Sequence, residues 1–184
     1  MSKKGPAFER AIAKQLSFWW SEGESDDLFW RTQSSGARAT QRTKKGKRTD
    51  GQYGDICATC PEAKPLLDLF TISIKRGYPE LTLDALFSKP NNKKGYGAFI
   101  NEAKITAKQA GSMYWLLIIK RDFWDTIVVS PIDLNLRARP PIMCLDYEYK
   151  GDYTVVRVTK FDQFFNDEMR EEIKQIHNKW KASK

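Results

Sequence analysis

The hydrophobic patterning of this chain predicts a mixed α/β domain, a central sheet flanked by helices. Three observations lead there. Apolar residues recur at steps of three and four near the N-terminus (Phe8, Ile12, Leu16, Trp19 or Trp20) and again across 98–111. Short runs rich in β-branched and aromatic residues, LFWRTQ, LDLFTISIK, MYWLLIIKR and DTIVVSP, lie between and after these helical stretches. Residues 143–159 then read as a hairpin turning at Lys150-Gly151-Asp152, and 161–181 as a closing helix. The expected order is helix, three strands, helix, two strands, hairpin, helix.

A length of 184 residues suits a single domain with a real core. We divide it into a core over 5–131 and a C-terminal hairpin and helix over 132–184. Hydrophobic residues make up 41% and charged residues 29%, as in a soluble globular protein. The longest apolar run, about 113–119, is too short to span a bilayer. The start, MSKKGPAFER, has no apolar signal region, so a cytoplasmic protein without a membrane role is expected. A net charge of +8 points to an acidic partner.

The first helix is expected over 6–21, with Pro6 at a first helical position. Glu9 falls on or beside its apolar stripe, and a carboxylate there needs a partner because desolvating it alone is costly. A surface pair with Arg10 or a lysine is one reading of it. Residues 34–54, SSGARATQRTKKGKRTDGQYG, form a long polar stretch of a length that is uncommon in a compact domain unless functional or disordered. Arg38, Arg42, Lys44, Lys45, Lys47 and Arg48 place six cations in eleven residues without an acid. Ser34, Ser35 and the backbone around Gly36 suit a phosphate, and Arg31 leads into the same stretch.

Residues 54–77, GDICATCPEAKPLLDLFTISIKRG, read as two strands joined by a tight connection. That would set Asp55 at one strand end beside Lys75 at the other. In the second strand Ser73 and Lys75 share a parity, and apolar residues occur on both faces, which suits a strand covered on both sides. One helical turn is expected around 81–87 and a second helix over 98–111, closed by Gly111. Glu102 and Gln109 flank its inner face. Strands follow over 113–121 and 125–131, with Asp122-Phe123-Trp124 at their turn. Cys57 and Cys60 form a C-x-x-C inside a strand and its turn and read as incidental. His177 has no evident partner on the last helix and reads as solvated. The aromatics Tyr147, Tyr149, Tyr153, Phe161, Phe164 and Phe165 suit a core or a dimer surface.

The succession of Glu9 on a first helix, Asp55, then Ser73-Ile74-Lys75, then a helix carrying Gln109 resembles the PD-(D/E)XK nuclease superfamily over roughly residues 5–130. The FER-type glutamate, the loop with serines and arginines and the GDI segment are most similar to Holliday-junction resolvases and related phage endonucleases. The resemblance implies a restriction-endonuclease-like α/β fold with an αβββαβ core. It implies a metal-dependent endonuclease acting on duplex or branched DNA, with Mg²⁺ or Mn²⁺, as a homodimer in a bacterial, archaeal or phage-infected cell. Asp55 would bridge the metal, and Glu9 would reach it through water. The Ile74 carbonyl would add a ligand. Lys75 would activate the attacking water or stabilise developing charge, and Gln109 would help orient the motif strand. Arg31, Ser34, Ser35 and the six cations of the loop would hold DNA.

One position departs from the pattern. Ser73 stands where the superfamily usually has an acid two residues before the lysine, and a hydroxyl cannot supply that charge. Glu102 could replace it from the following helix. Alternatively Glu9 and Asp55 could suffice for a single-metal site, or the chain could be an inactivated nuclease that binds DNA without cutting it. An RNA-binding or structural phage protein would keep the charge but have no use for an Asp55–Lys75 pairing.

Overall fold

The computed structural model describes residues 4–32, 53–82, 85, 94–134 and 141–182. Helix α1 (Lys4–Trp20) is followed by strand β1 (Phe29–Arg31), strand β2 (Ile56–Ala58) and a 3₁₀ turn (Pro61–Ala63). Next come helix α2 (Lys64–Leu69), strand β3 (Phe70–Arg76) and helix α3 (Tyr96–Ala110). Strands β4 (Tyr114–Lys120), β5 (Ile127–Pro131), β6 (Met143–Tyr149) and β7 (Asp152–Lys160) precede the short α4 (Phe161–Phe164) and α5 (Asp167–Ala182).

Five strands form the central sheet in the order β3-β4-β5-β7-β6. β3 and β4 run parallel, joined through α3, and the other neighbours are antiparallel. The C-terminal hairpin extends this sheet, because β7 pairs with β5. Its turn holds Lys150 and Gly151 at φ 53° and 80°, the pair of positive angles a two-residue hairpin turn requires.

Both sheet faces are covered. Ile72, Ile74, Leu116 and Ile118 pack with Phe8, Ile12 and Leu16 of α1 and with Phe164, Met169 and Ile173. Trp115, Leu117, Ile119, Val156 and Val158 pack on Phe99, Ile100 and Ala103 of α3. Alternating side chains of β4 thus enter opposite cores, the pattern of a strand buried on both faces.

The segment 54–77 is not a hairpin. β2 pairs with β1 in a separate two-stranded antiparallel sheet, and Pro61–Leu69 is helical. Pro61 and Pro65 occupy first-turn positions, where a missing N–H costs nothing. Leu66 and Leu69, three apart, both point inward as a helix requires. Reading the leucines as alternating strand positions overlooks that spacing. β3 is accordingly an edge strand of the main sheet, covered on its faces but open at one side.

Two further expectations are corrected at the C-terminus. The single helix over 161–181 is broken between Phe164 and Asp167, where Asn166 caps α5 by accepting from the Met169 N–H at 2.8 Å. His177 is buried, not solvated: its Nε2 lies 2.8 Å from Asp68 Oδ2, tying α5 to α2. Among the aromatics, Tyr147, Phe164 and Phe165 are buried, whereas Tyr153 is exposed. The helical turn expected around 81–87 lies mostly outside the described residues.

Candidate active site

Asp55 is positioned by main-chain bonds to two sheets. Its N–H donates to Ile72 O at 2.8 Å on the open edge of β3, and its carbonyl accepts from Thr32 N–H at 3.0 Å just past β1. Its side chain turns back to the same edge, where Oδ2 accepts the Ile74 N–H at 2.6 Å. The preceding Gly54 makes this approach feasible. It sits at φ 78°, and a Cβ there would lie 2.6 Å from Ile72 O. Only glycine tolerates both the angle and the contact. Asp55 therefore reaches the end of β3 beside Lys75 by docking on a sheet edge, not by strand pairing.

A cavity of about 190 Å³ opens here, lined by Glu9, Gly54, Asp55, Ser73, Ile74, Lys75, Tyr78, Glu102 and Thr106. Glu9 arrives from α1, Ser73 to Lys75 from β3, and Glu102 and Thr106 from α3. Glu9 is buried and pairs with Arg31 Nε of β1, rather than with Arg10 or a lysine. Lys75 Nζ is 3.0 Å from Glu102 Oε2 and 4.8 Å from the centre of the Phe99 ring, which meets Tyr78 edge-on. Ser73 is buried, on the same parity as Lys75.

Burial pushes the Asp55 carboxyl up from 3.8 to about 6. The Ile74 N–H and the Lys75 charge oppose that rise, while Glu9 and Glu102 add to it. The carboxylate thus lies in a desolvated position between one cation and two like charges, an environment that favours added positive charge.

Three carboxylates and a main-chain carbonyl are hard oxygen donors, the type that suits Mg²⁺ or Mn²⁺ over soft metals. In a strand, the N–H and C=O of one residue point to the same side, so the Ile74 carbonyl is directed to the edge where Asp55 lies. Among the described residues, no three Asp, Glu, His or Cys side chains converge tightly enough to cage an ion by themselves. The donor set fits a cation that keeps most of its water and takes few protein ligands, as Mg²⁺ does.

The structure thus brings together Glu9, Asp55, Ser73, Ile74, Lys75 and Glu102. Gln109 lies elsewhere, two turns or about 10 Å along α3 from Glu102. It lines a separate cavity of about 680 Å³ with Tyr53, Asp68, Thr71 and Trp180. Ser34, Ser35, Arg38, Arg42, Lys44, Lys45, Lys47 and Arg48 lie outside the described residues. Sequence reasoning misses Tyr78 and Thr106. Thr106 follows Glu102 by four, a spacing that puts both on one helix face. No local signal marks Tyr78.

Among the described residues, no helix is long and apolar enough to cross a membrane. Compared with known families, residues 1–175 match the family described as "Phage putative PDDEXK endonuclease". No curated protein and no solved structure matches the chain significantly.

Proposed function

Because the chain belongs to this family of phage PDDEXK endonucleases, we propose that it is a metal-dependent endodeoxyribonuclease that cuts duplex or branched DNA. The observation that carries the reading is the single cavity into which Asp55, Glu9, Glu102 and Lys75 converge from four separate segments. Asp55 and the Ile74 carbonyl would hold Mg²⁺ or Mn²⁺, with Glu9 reaching it through water. A bound divalent cation supplies charge neutralisation at the phosphate and an acidified water. Lys75 provides a fixed positive charge where negative charge develops on the scissile phosphate. Burial on α1 and the bond to Arg31 hold Glu9 in place.

Glu102 would stand in for the acid missing at Ser73, a reading supported by its place in the same cavity and its contact with Lys75. Gln109 would act at the N-terminal end of β3, away from the scissile phosphate. The cations of 38–48, with Ser34 and Ser35, would bind the DNA backbone, and two copies would make paired cuts.

Cleavage of plasmid and four-way-junction DNA in Mg²⁺ or Mn²⁺ tests the reading. Cutting that disappears in EDTA and in Lys75→Ala is expected, and cutting unaffected by Lys75→Ala would overturn the site. The buried hydroxyl at Ser73 favours a second reading, a DNA-binding protein that has lost cleavage. An inert wild type that gains cutting as Ser73→Glu would establish it.

A further inference from the structure

Phe123 occupies the turn between β4 and β5, with its side chain entirely in solvent and its backbone at φ 68°. A bulky residue in the left-handed region is an outlier, and glycine or asparagine is the usual choice there. Burial does not explain a phenylalanine at this place. Trp124 beside it is also exposed.

The turn is pinned from below. Asp122 Oδ1 lies 3.1 Å from Arg76 Nη2, the Trp124 N–H donates to Arg121 O at 3.3 Å, and Lys120 Nζ donates to Trp124 O. The apolar tip is thus presented on an anchored support, preceded by Lys120 and Arg121 and bracketed by Asp122 and Asp125.

Its position relates it to the cavity. β3 and β4 are parallel, with Lys75 opposite Ile119 and Arg76 opposite Lys120. Both strands leave the sheet at the end where the cavity lies. Phe123 follows Ile119 by four residues, so chain reach and strand spacing keep its backbone within about 20 Å of Lys75. That span covers some five or six base steps of about 3.4 Å.

We propose that Phe123 is a nucleobase wedge: its ring inserts against an unpaired or unstacked base of DNA held a few steps from the phosphate to be cut. The inference rests on the nuclease reading and adds to it a substrate with a deformable or unpaired base beside the cut. Apolar side chains inserted at base steps unstack and kink DNA, and stacking on an aromatic ring tolerates any base. Asp122 and Asp125 at the tip are each paired with a cation, Arg76 and Lys160, so they do not oppose a polyanion. Two exposed rings are far too little for a stable contact with a second copy, which needs about 800 Å² per partner.

The test uses the full-length protein with duplex and four-way-junction DNA carrying 2-aminopurine at successive positions, in Ca²⁺ and in EDTA. Anisotropy reports binding and 2-aminopurine fluorescence reports unstacking. Wild type should bind and brighten the probe at one or two positions. Phe123→Ala, at saturating protein, should lose the brightening, and Phe123→Trp should restore it. Phe123→Gly should lose it while melting at a higher temperature, since glycine accepts the backbone angle. Brightening unchanged in Phe123→Ala overturns the wedge, as does a halved mass of that variant without DNA, which would make the ring a contact between copies. Wild-type binding with no brightening anywhere removes the wedge alone. No binding by wild type removes the nuclease reading, and the wedge with it.

Discussion

Replacing Asp55 by asparagine separates the charge of the site from its shape. The backbone N–H of residue 55 still donates to Ile72 O, and an amide oxygen can still accept the Ile74 N–H. What disappears is the negative charge that burial disfavours. In the wild type that carboxyl is raised from 3.8 to about 6, chiefly by desolvation. A folded-state value above the unfolded one means that the folded chain holds the proton more tightly. The stability contributed by this group is therefore full below about pH 4 and is lost as pH rises to about 6. The gap corresponds to about 3 kcal/mol at 1.36 kcal/mol per pH unit, and residual solvent contact at Asp55 reduces it to about 1–2 kcal/mol. For a chain of this length, Asp55→Asn should then melt about 2–8 °C above wild type at pH 7.5 in EDTA. The advantage should vanish near pH 4. Circular-dichroism melts of both proteins from pH 4 to 8 measure it. Saturating Mn²⁺ should stabilise the wild type and leave the variant unmoved. A variant less stable at pH 7.5, or a difference independent of pH, would refute the argument, since attraction to Lys75 would then outweigh desolvation.

Gly54→Ala should cost about 2 kcal/mol or more, because a methyl group would meet Ile72 O at 2.6 Å and the backbone stands at φ 78°. Chemical denaturation measures that loss, and DNA cleavage should fall with Asp55 displaced from the β3 edge. Alanine at Lys44, Lys45, Lys47 and Arg48 together should flatten the dependence of log affinity on log salt by up to about 3–4, at roughly 0.9 for each phosphate no longer neutralised. An unchanged slope in a salt titration would mean that these four cations do not neutralise DNA phosphates.

The order of elements is legible because each element's own period is local. α1 shows its stripe in Phe8, Ile12 and Leu16, and β4 reads as a continuous apolar run because both faces are buried. The stretch leading into β3 misleads because KPLLDLFT satisfies two periods at once. Leu67, Leu69 and Thr71 alternate as a strand would, while Leu66 and Leu69 sit three apart as a helix needs. Packing against α5 settles the ambiguity, through the buried His177 and its bond to Asp68. That partner is 109 residues away, so neither residue announces the other.

The residue types of the site are legible, but its pairings are not. A hairpin would set Asp55 beside Lys75 by strand pairing. The same neighbourhood arises because Gly54 and Asp55 dock on the free edge of β3, an approach that no periodicity encodes. Arg31 shows the limit most sharply. Its position just before the basic stretch 38–48 invites grouping it with the cations that meet DNA. Yet β1 pairs with β2 so that Arg31 lies opposite Ile56, one residue from Asp55, and its guanidinium reaches Glu9. A cation that neutralises a buried carboxylate is held by the fold: removing it would leave Glu9 desolvated and unpaired, at a cost larger than that of removing one surface cation from a phosphate. Charge counted along the chain therefore assigns Arg31 to the ligand, whereas strand register ties it to the carboxylate of the site.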